Sequence, residues 1–208
     1  MRLGIFGGSF DPPHVGHLLV AQDAVTALSL DRLLIVPAAQ QPLKQGQQTP
    51  AADRLAMVQR CFAGVPGLVV DPVEIDRGGL SYMVDTVESL QRREPTADLH
   101  LLIGEDVLET FPRWREPERL RSMVRLVVLR RNMTHEPVAT SAGQQGAPEL
   151  PVHHLATRRV DVSSTEVRER VRAGRSIRGF VTDAVAEYIE STGLYLRDPM
   201  AGDVSERA

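Results

Sequence analysis

Two glycines and two histidines near the start of the sequence have the spacing of a phosphate-binding turn. They belong to the run Gly7-Gly8-Ser9-Phe10-Asp11-Pro12-Pro13-His14-Val15-Gly16-His17. His14 and His17 are three residues apart, so both imidazoles project from one side of a helix that begins there. The free N–H groups and the dipole of that helix end favour an anion, and the missing Cβ atoms let a ligand approach the amides of Gly7 and Gly8. These residues therefore predict a site for the phosphates of a nucleotide.

The neighbouring residues predict the elements that position this turn. The apolar run over residues 2–6 is typical of a buried strand, and apolar residues recur at helical spacing over 18–28. Pro12 and Pro13 delay the helix until about Val15. In an open α/β sheet such a turn lies at the carboxyl end of a strand, where ligands bind. A simpler interpretation is a Gly-Pro turn and a helix with two surface histidines, but the ordered occurrence of all these features favours a functional site.

A second candidate site lies in the run Val162-Ser163-Ser164-Thr165-Glu166-Val167-Arg168. Ser163 and Glu166 have the spacing of a capping box, which predicts a helix that begins here with free amides at its N-terminus. Arg168 stays charged and can bind phosphate oxygens through a bidentate fork. Capping boxes are common, so this run alone would indicate only the start of a helix. Together with the first run, it predicts two helix N-termini that face one triphosphate.

Strands and helices alternate along the rest of the chain. Short apolar runs predict strands at Leu33–Val36, Leu68–Val70, Leu99–Ile103, Val124–Leu129 and Val152–Leu155. Helical spacing predicts helices at Asp53–Phe62, from a Ser81 cap through Leu90, and at Glu116–Met123, Thr165–Ala173 and Val181–Thr192. Loops are predicted over 38–50 and 132–151. This alternation indicates an α/β protein with a doubly wound parallel sheet and C-terminal helices, in one domain over 1–198 with a disordered tail over 199–208.

Composition restricts the partners of this domain. The chain has 208 residues, 42% of them hydrophobic, which is enough to bury the core of one α/β domain. A formal net charge of −3 gives no overall attraction to nucleic acid or to an anionic membrane, so small molecules are the expected partners. The single cysteine, Cys61, is interpreted as core filling rather than as a nucleophile. No leader or membrane-spanning run is visible, which predicts a cytoplasmic protein; a homo-oligomer is left open.

The first run closely resembles the signature Gly-Gly-(Ser/Thr)-Phe-Asp-Pro-x-His-x-Gly-His of the nicotinate mononucleotide adenylyltransferase family. That family belongs to the His-x-Gly-His nucleotidyltransferases. The second run resembles the family's Ile-Ser-x-Thr-x-x-Arg motif, with Val162 in place of isoleucine. In the family this segment contacts the phosphates of ATP, and the positions carried over are Ser163, Thr165 and Arg168. The resemblance extends to about residue 197 and is weakest across 132–159.

Two further segments resemble the family's substrate contacts. Gly104 and Asp106 match a Gly-Ala-Asp segment whose glycine and aspartate line the adenosine site, and Glu105 departs from that pattern. Thr86 and Trp114 resemble the nicotinate pocket, where a threonine helps to position the pyridine and an aromatic ring stacks on it. A single tryptophan is usually a core residue, but the polar neighbours of this one favour a partly exposed stacking surface.

The only lysine of the chain, Lys44, falls at the position of the family's phosphate-reaching lysine. The family often has Pro-His-Lys at this point, and here Leu43 replaces the histidine. The resemblance therefore implies that Lys44 contacts phosphate, with a different residue beside it.

What the resemblance implies is a Rossmann-like enzyme of NAD biosynthesis, which transfers AMP from ATP to nicotinate mononucleotide and releases pyrophosphate. Mg²⁺ would accompany the triphosphate, without a metal-ligand set from the protein. The expected chemistry is direct in-line displacement, because a phosphate monoester with a second pKa of about 6 is already largely dianionic. The implied catalytic residues are His14, His17, Lys44 and Arg168. The implied ATP contacts are Gly7, Gly8, Ser9, Phe10, His14, His17, Gly104, Asp106, Ser163, Thr165 and Arg168, and the implied mononucleotide contacts are Ser9, Lys44, Thr86 and Trp114.

Three alternatives to this function stay open at the level of sequence. The enzyme could prefer nicotinamide mononucleotide or accept both mononucleotides. Another His-x-Gly-His transferase would make coenzyme A precursors or CDP-alcohols, and would not be expected to carry the Thr86 and Trp114 pocket. A nucleotide-sensing module without turnover belongs to a different class, although His14, His17 and Arg168 are all present.

Overall fold

The computed structural model describes residues 1–43, 49–131 and 152–196 of the chain. Parallel strands form one six-stranded sheet in the order β3-β2-β1-β4-β5-β6. The strands are β1 (Arg2–Gly8), β2 (Arg32–Pro37), β3 (Leu68–Val70), β4 (Asp98–Gly104), β5 (Arg125–Arg131) and β6 (His153–Thr157). This is the strand order of a Rossmann-like doubly wound sheet, so the expected α/β fold class is confirmed.

Helices connect the strands from β1 to β5, and together with two C-terminal helices they cover both faces of the sheet. They are α1 (Val15–Ala27), α2 (Ala51–Phe62), α3 (Val73–Arg77), α4 (Met83–Arg93), α5 (Glu105–Leu108), α6 (Pro117–Met123), α7 (Ser164–Arg172) and α8 (Asp183–Thr192), with a 3₁₀ helix over Phe111–Arg113. The predicted strands all occur within two residues of their expected bounds. Within the described residues, none of these helices combines the length and the apolar character that crossing a lipid bilayer requires.

Alternate residues of the strands feed two separate hydrophobic cores, because successive side chains of a strand point to opposite faces. On one face, Leu33 and Ile35 pack with residues of α1, α2, α7 and α8. On the other face, Ile5 and Leu34 pack with residues of α4 and α6. Cys61 is buried in the first core, and burial raises the pKa of its thiol to about 12. Its interpretation as core filling is confirmed.

The strand order reverses between β1 and β4, and this reversal sets the position of the candidate site. From β1 the chain moves outward through β2 to β3, whereas β4 begins on the other side of β1 and leads outward to β5 and β6. Ile5 pairs with Leu34 on one side and with Leu101 on the other. The loops after β1 and β4 therefore diverge and leave a crevice at their carboxyl ends, where ligands bind in such sheets.

Some local expectations differ from the structure. Ser81 does not cap α4: Tyr82 occupies the N-cap position, and Ser81 Oγ accepts a hydrogen bond of 2.9 Å from the Ala39 N–H instead. The short helices α3, α5 and the 3₁₀ helix were not expected, because segments of three to five residues are too short to show helical periodicity. The predicted loop over 132–151 and the tail over 199–208 lie outside the described residues.

Candidate active site

A cavity of about 910 Å³ opens at the carboxyl ends of β1 and β4. Nine of the residues singled out in the sequence line it: Gly7, Gly8, Ser9, Phe10, His14, His17, Gly104, Asp106 and Trp114. Four others are described but do not line it: Thr86, Ser163, Thr165 and Arg168. Lys44 lies outside the described residues. The first run and the segments after β4 thus share one cavity, and the second run reaches it through Val162 and Ser164, whereas Ser163, Thr165 and Arg168 do not line it.

Side chains pack closely over Gly7 and Gly8 at the end of β1 and leave little room for a Cβ at either position. A Cβ on Gly7 would lie 2.7 Å from Met83 Cε, and one on Gly8 would lie 3.0 Å from the ring of Phe10. Phe10 is buried with a positive φ of 49°, and its ring meets the His17 imidazole edge-on with centroids 5.0 Å apart. The Phe10 ring therefore supports His17 from within the core.

The two histidines are fixed relative to each other at the start of α1. His14 is the N-cap residue, and its backbone N–H donates to His17 Nδ1 over 3.2 Å. The two rings lie against each other, with centroids 3.7 Å apart and planes tilted by 32°. Because His17 Nδ1 accepts a hydrogen bond, a neutral His17 carries its proton on Nε2. A donor of fixed orientation at a helix N-terminus suits an anionic ligand.

Arg54, which the sequence analysis did not single out, anchors this loop from α2. Its side chain is 1% exposed and donates to the carbonyl oxygens of Ser9 at 2.9 Å, Ala38 at 2.6 Å and Ala39 at 2.8 Å. Burial lowers the pKa of the guanidinium, and the nearby Asp11 carboxylate opposes that effect. Arg54 thus joins the loops after β1 and β2 at their backbones. No local pattern in the sequence distinguishes it from an exposed helical arginine.

The second run holds the loop after β1 from the opposite side. Ser163 is the N-cap of α7 and accepts a 3.1 Å hydrogen bond from the Glu166 N–H, so the predicted cap is confirmed. Ser164 donates to the Pro12 carbonyl oxygen over 2.8 Å. Arg168 donates through Nη1 to the Asp11 carbonyl oxygen at 2.6 Å and through Nη2 to Thr165 Oγ1 at 3.2 Å. Ser164, which had not been proposed as a contact, lines the cavity.

Thr86 is buried beneath the other end of the cavity. It is fully buried and donates to Glu74 Oε1 over 2.6 Å, while Arg77 Nη2 donates to Thr86 Oγ1 over 3.1 Å. Glu74 is 3% exposed and lines the cavity. Burial raises the pKa of Glu74, and the hydrogen bonds from Thr86 and Ser81 oppose that effect. Thr86 therefore holds Glu74 in place and does not itself reach the cavity.

Aromatic rings line the cavity near Glu74. Trp114 is half-buried against Phe111, with ring centroids 5.3 Å apart. Tyr82 also lines the cavity, and the Arg115 guanidinium lies 4.8 Å from its ring centroid. Rings that are supported from behind and open on one side can stack on a flat heteroaromatic ligand. This end of the cavity is therefore suited to a base, and the histidine end to phosphates.

The cytidylyltransferase-like family matches residues 5–170 of the chain. The chain belongs to this family. It is 62% identical over 208 residues, covering 100% of this chain and 99% of the relative, to a protein of Gemmatimonas aurantiaca named "Probable nicotinate-nucleotide adenylyltransferase". A protein of the same name from Thermus thermophilus is 42% identical over 195 residues, covering 94% of this chain and 100% of the relative.

Solved structures share the fold of this cytidylyltransferase-like chain. Nicotinic acid mononucleotide adenylyltransferase of Plasmodium falciparum, in a complex with NaAD, aligns with a TM-score of 0.71 over 93% of this chain and 97% of that one. Its sequence identity is 17%, so the likeness shows the fold alone. The matched family and the named relatives confirm the resemblance seen in the two sequence motifs.

The segment after β4 shows how this cytidylyltransferase-like chain departs from the expected Gly-Ala-Asp pattern. Gly104 is the N-cap of α5, and the Asp106 carboxylate lies so close over it that a Cβ would collide. Glu105 is exposed and forms an ion pair with Arg130 of 3.3 Å between Oε1 and Nε. The departure at Glu105 therefore adds a surface ion pair and leaves the backbone of Gly104 on the cavity wall.

Proposed function

We propose that this protein transfers AMP from ATP to nicotinate mononucleotide, giving nicotinate adenine dinucleotide and pyrophosphate in NAD biosynthesis. The observation that carries the proposal is one cavity lined both by the paired histidines, whose region packs on the first core, and by Trp114 and Tyr82, which pack on the second core across the sheet. Such a cavity can hold a triphosphate and a pyridine base together. The names of the relatives, at up to 62% identity over the full chain, support the same activity.

The proposed chemistry is a single in-line displacement. A phosphate oxygen of the mononucleotide attacks the α-phosphorus of ATP, a new P–O bond forms, and the bond to the β-phosphate oxygen breaks as pyrophosphate leaves. The attacking phosphate is largely dianionic at neutral pH, so no strong general base is needed. Catalysis then consists of positioning and of stabilising charge on the phosphates.

The loop after β1 supplies the groups that act on the reacting phosphates. His17 presents Nε2–H as a donor, with the His14 ring packed against it. The amides of Ser9 and Phe10 orient the phosphates, beside the open backbone of Gly7 and Gly8. We assign the stabilisation of charge on the phosphates to this group of donors.

Lys44 completes the proposed set by holding the leaving pyrophosphate, and Arg168 supports the site from behind the loop after β1. Two of the five N–H groups of Arg168 are used in its bonds to Asp11 and Thr165. Its role is therefore double, because it anchors the loop and adds positive charge behind it. Ser163 and Thr165 contribute through the N-terminus of α7, which points toward the same loop.

The base end recognises the mononucleotide by stacking and by a buried polar group. Trp114 stacks on the pyridine, with Tyr82 nearby, and Thr86 acts through Glu74. Gly104 and Asp106, the proposed contacts of the adenosine, lie on the cavity wall after β4.

Mg²⁺ fits this site as an ion that is bound by the phosphates of ATP rather than by protein side chains. Within the described ranges, no cluster of three or more His, Cys, Asp or Glu side chains could hold a metal ion. Mg²⁺ commonly keeps several waters and binds through substrate phosphates rather than in an all-protein cage. When bound, it neutralises charge on the phosphates. The residues of the loop after β1 then act on the phosphate oxygens directly.

The proposal treats residues 1–198 as one nucleotidyltransferase domain in the cytoplasm, where ATP is available. The C-terminal helix α8 packs in the same core as α1 and α2, which supports a single unit. The proposal involves no nucleic acid or membrane partner.

Pyrophosphate release from Mg-ATP tests the proposed function. Nicotinate mononucleotide and nicotinamide mononucleotide are tested side by side as acceptors, with 4′-phosphopantetheine and an alcohol phosphate with CTP as controls for the related transferases. We expect a strong excess in kcat/KM for nicotinate mononucleotide. Similar values for the two mononucleotides would indicate a dual-specificity enzyme. No release with either of them would contradict the proposal.

A further inference from the structure

We propose that Tyr195 is a positioning residue, whose hydroxyl ties the C-terminal turn of the chain to Asp11 in the loop after β1 and lies beside Thr49. The inference rests on the proposed function for its effect on turnover. Its structural part concerns the order of the loop and can be measured without any substrate.

The first contact of Tyr195 is with the loop itself. Its Oη donates to Asp11 Oδ1 over 2.6 Å, across a sequence separation of 184 residues. The backbone carbonyl of Asp11 accepts from Arg168, and the next carbonyl, of Pro12, accepts from Ser164. Asp11 is therefore held by its side chain and its backbone together, at the point between Phe10 and His14 where the loop turns into α1.

The second contact of Tyr195 is with the loop after β2. The Thr49 side chain lies beside the same phenol and lowers its pKa. Thr49 is 6% exposed, and its carbonyl oxygen accepts from Arg54 Nε over 3.2 Å. Thr49 is the first described residue after the segment 44–48, which contains Lys44. One phenol group thus lies against both the loop after β1, through Asp11, and Thr49, which precedes α2.

The backbone of the C-terminal turn is unusual at Tyr195. Helix α8 ends at Gly193, which has a φ of 67°, and Tyr195 adopts a positive φ of 67° as well. A large residue other than glycine rarely takes this left-handed conformation, and it persists where the surroundings hold it. The contacts that hold it are those to Asp11, Thr49 and Met57.

The charges around the phenol keep it as a donor. Burial and the Asp11 carboxylate raise the pKa of Tyr195, and the positive charge of Arg168 opposes them. The phenol therefore stays protonated over the ordinary pH range and donates to Asp11. Without the hydroxyl, Asp11 would lose its side-chain partner in a half-buried site, and the loop would sample more conformations.

Greater motion of this loop should affect the rate more than the affinity. In-line transfer requires the attacking oxygen and the α-phosphorus at close and fixed distance, and small displacements are costly. Tyr195 itself is absent from the residues that line the cavity, so its loss removes no substrate contact. We therefore expect a lower kcat with little change in KM.

The chain contains a matched control for this effect. Tyr188 on α8 donates to Asp53 Oδ1 over 2.8 Å, which is the same type of bond at a similar distance. This pair joins α8 to α2, and neither residue lines the cavity. Tyr188→Phe should thus remove an equivalent bond with no effect on the loop.

The experiment compares wild type, Tyr195→Phe and Tyr188→Phe by amide hydrogen exchange and by steady-state kinetics. We expect Tyr195→Phe alone to speed exchange in residues 8–17 and to lower kcat by about 10-fold, the cost of one lost hydrogen bond to a charged group. KM for ATP should change less than about 3-fold, since no ligand contact is lost. Thermal stability should fall in both variants.

Two outcomes separate this inference from the proposed function. If Tyr195→Phe matched Tyr188→Phe in both loop exchange and kcat, the positioning role would be overturned. If the wild type showed no turnover while the exchange difference persisted, the proposed function would fail and the positioning role would stand. Should Tyr195→Phe not fold, Thr49→Val removes the second hydroxyl contact and should give a smaller change of the same kind; no change in loop exchange would then overturn the inference.

Discussion

The two ends of the cavity are held in place by contacts of very different range. At the histidine end, the bonds to Asp11 and Pro12 come from Arg168 and Ser164, with sequence separations of 157 and 152 residues. At the base end, Arg77 and Glu74 bond to Thr86 across 9 and 12 residues. One end is assembled from distant parts of the chain, and the other is a local network.

The difference in sequence separation indicates that the two ends of the cavity have different roles. A loop that is anchored by α2 and α7 together cannot shift without disturbing several elements, and such rigidity suits a reaction that depends on exact alignment. A local network can change through a few neighbouring substitutions, which suits the choice of a substrate. We therefore expect the histidine end to govern the rate of transfer and the base end to govern affinity for the mononucleotide.

Removal of His17 should have the largest effect on turnover. We expect His17→Ala to lower kcat by about 10²–10³-fold, by analogy with the loss of one oxyanion donor. The KM for nicotinate mononucleotide should change little. Steady-state kinetics on the folded variant, checked by circular dichroism, provide the measurement. His153→Ala, an exposed histidine on β6 outside the cavity, is the control and should keep normal activity. Normal turnover by His17→Ala would remove His17 from the site.

Removal of Arg54 should show that the histidine end depends on distant anchoring. Arg54→Met removes the donor from two buried and two part-buried hydrogen bonds to carbonyl oxygens, at about 1–3 kcal/mol for each buried group left unsatisfied. We expect the free energy of unfolding to fall by at least about 3 kcal/mol in urea titrations. Arg60→Met, from an exposed arginine of the same helix, should cost less than about 1 kcal/mol. Equal losses in the two variants would contradict the anchoring role of Arg54.

Removal of the Trp114 ring should lower the affinity for the mononucleotide more than the rate of transfer. Stacking of a base on an aromatic side chain is worth about 1–3 kcal/mol. Trp114→Ala should therefore raise KM for nicotinate mononucleotide by about 10- to 100-fold, with a smaller change in kcat. Trp114→Phe keeps a ring and should recover most of the affinity. A variant that lost kcat at unchanged KM would break the proposed division between the two ends.

The buried carboxyl of Glu74 should make the stability of the folded protein depend on pH. Burial raises its pKa in the folded state, so the folded protein binds more protons than the unfolded chain above the ordinary Glu value. Stability should then fall as the pH rises from about 4.5 through the raised pKa, with a slope of at most about 1.4 kcal/mol per pH unit.

Glu74→Gln cannot ionise and should lack that part of the slope. Urea unfolding of wild type and Glu74→Gln between pH 4.5 and 8 gives the difference directly, because all other titrating groups are shared. Parallel stability curves for the two proteins would show that Glu74 does not titrate differently on folding.

The fold and the centre of the histidine end could be predicted from sequence because their signals are local. Strand, paired glycines, prolines and histidines follow one another within the first 17 residues. The βα alternation likewise appears in short apolar runs, and the strand bounds agree within two residues. The cap at Ser163 depends on a residue three positions away, and it was predicted as well.

Other features could not be predicted because they depend on contacts between distant residues. Arg54 and Ser164 act on carbonyl groups far away in the sequence, and nothing beside them distinguishes them from surface residues. Ser81 has the residue type of a cap, but its hydroxyl accepts from Ala39 instead. Thr86 was expected to meet the pyridine, whereas α3, which was not predicted, places Glu74 between Thr86 and the cavity.

The stereochemistry at the α-phosphorus tests the central claim most directly, namely that both ends only position two substrates that react with each other. ATP with sulfur at the α-phosphorus, in one known configuration, is turned over with nicotinate mononucleotide, and the configuration of the dinucleotide product is determined. Direct in-line transfer predicts inversion at the α-phosphorus. Retention would require two displacements through a covalent adenylyl-protein, and would contradict direct transfer.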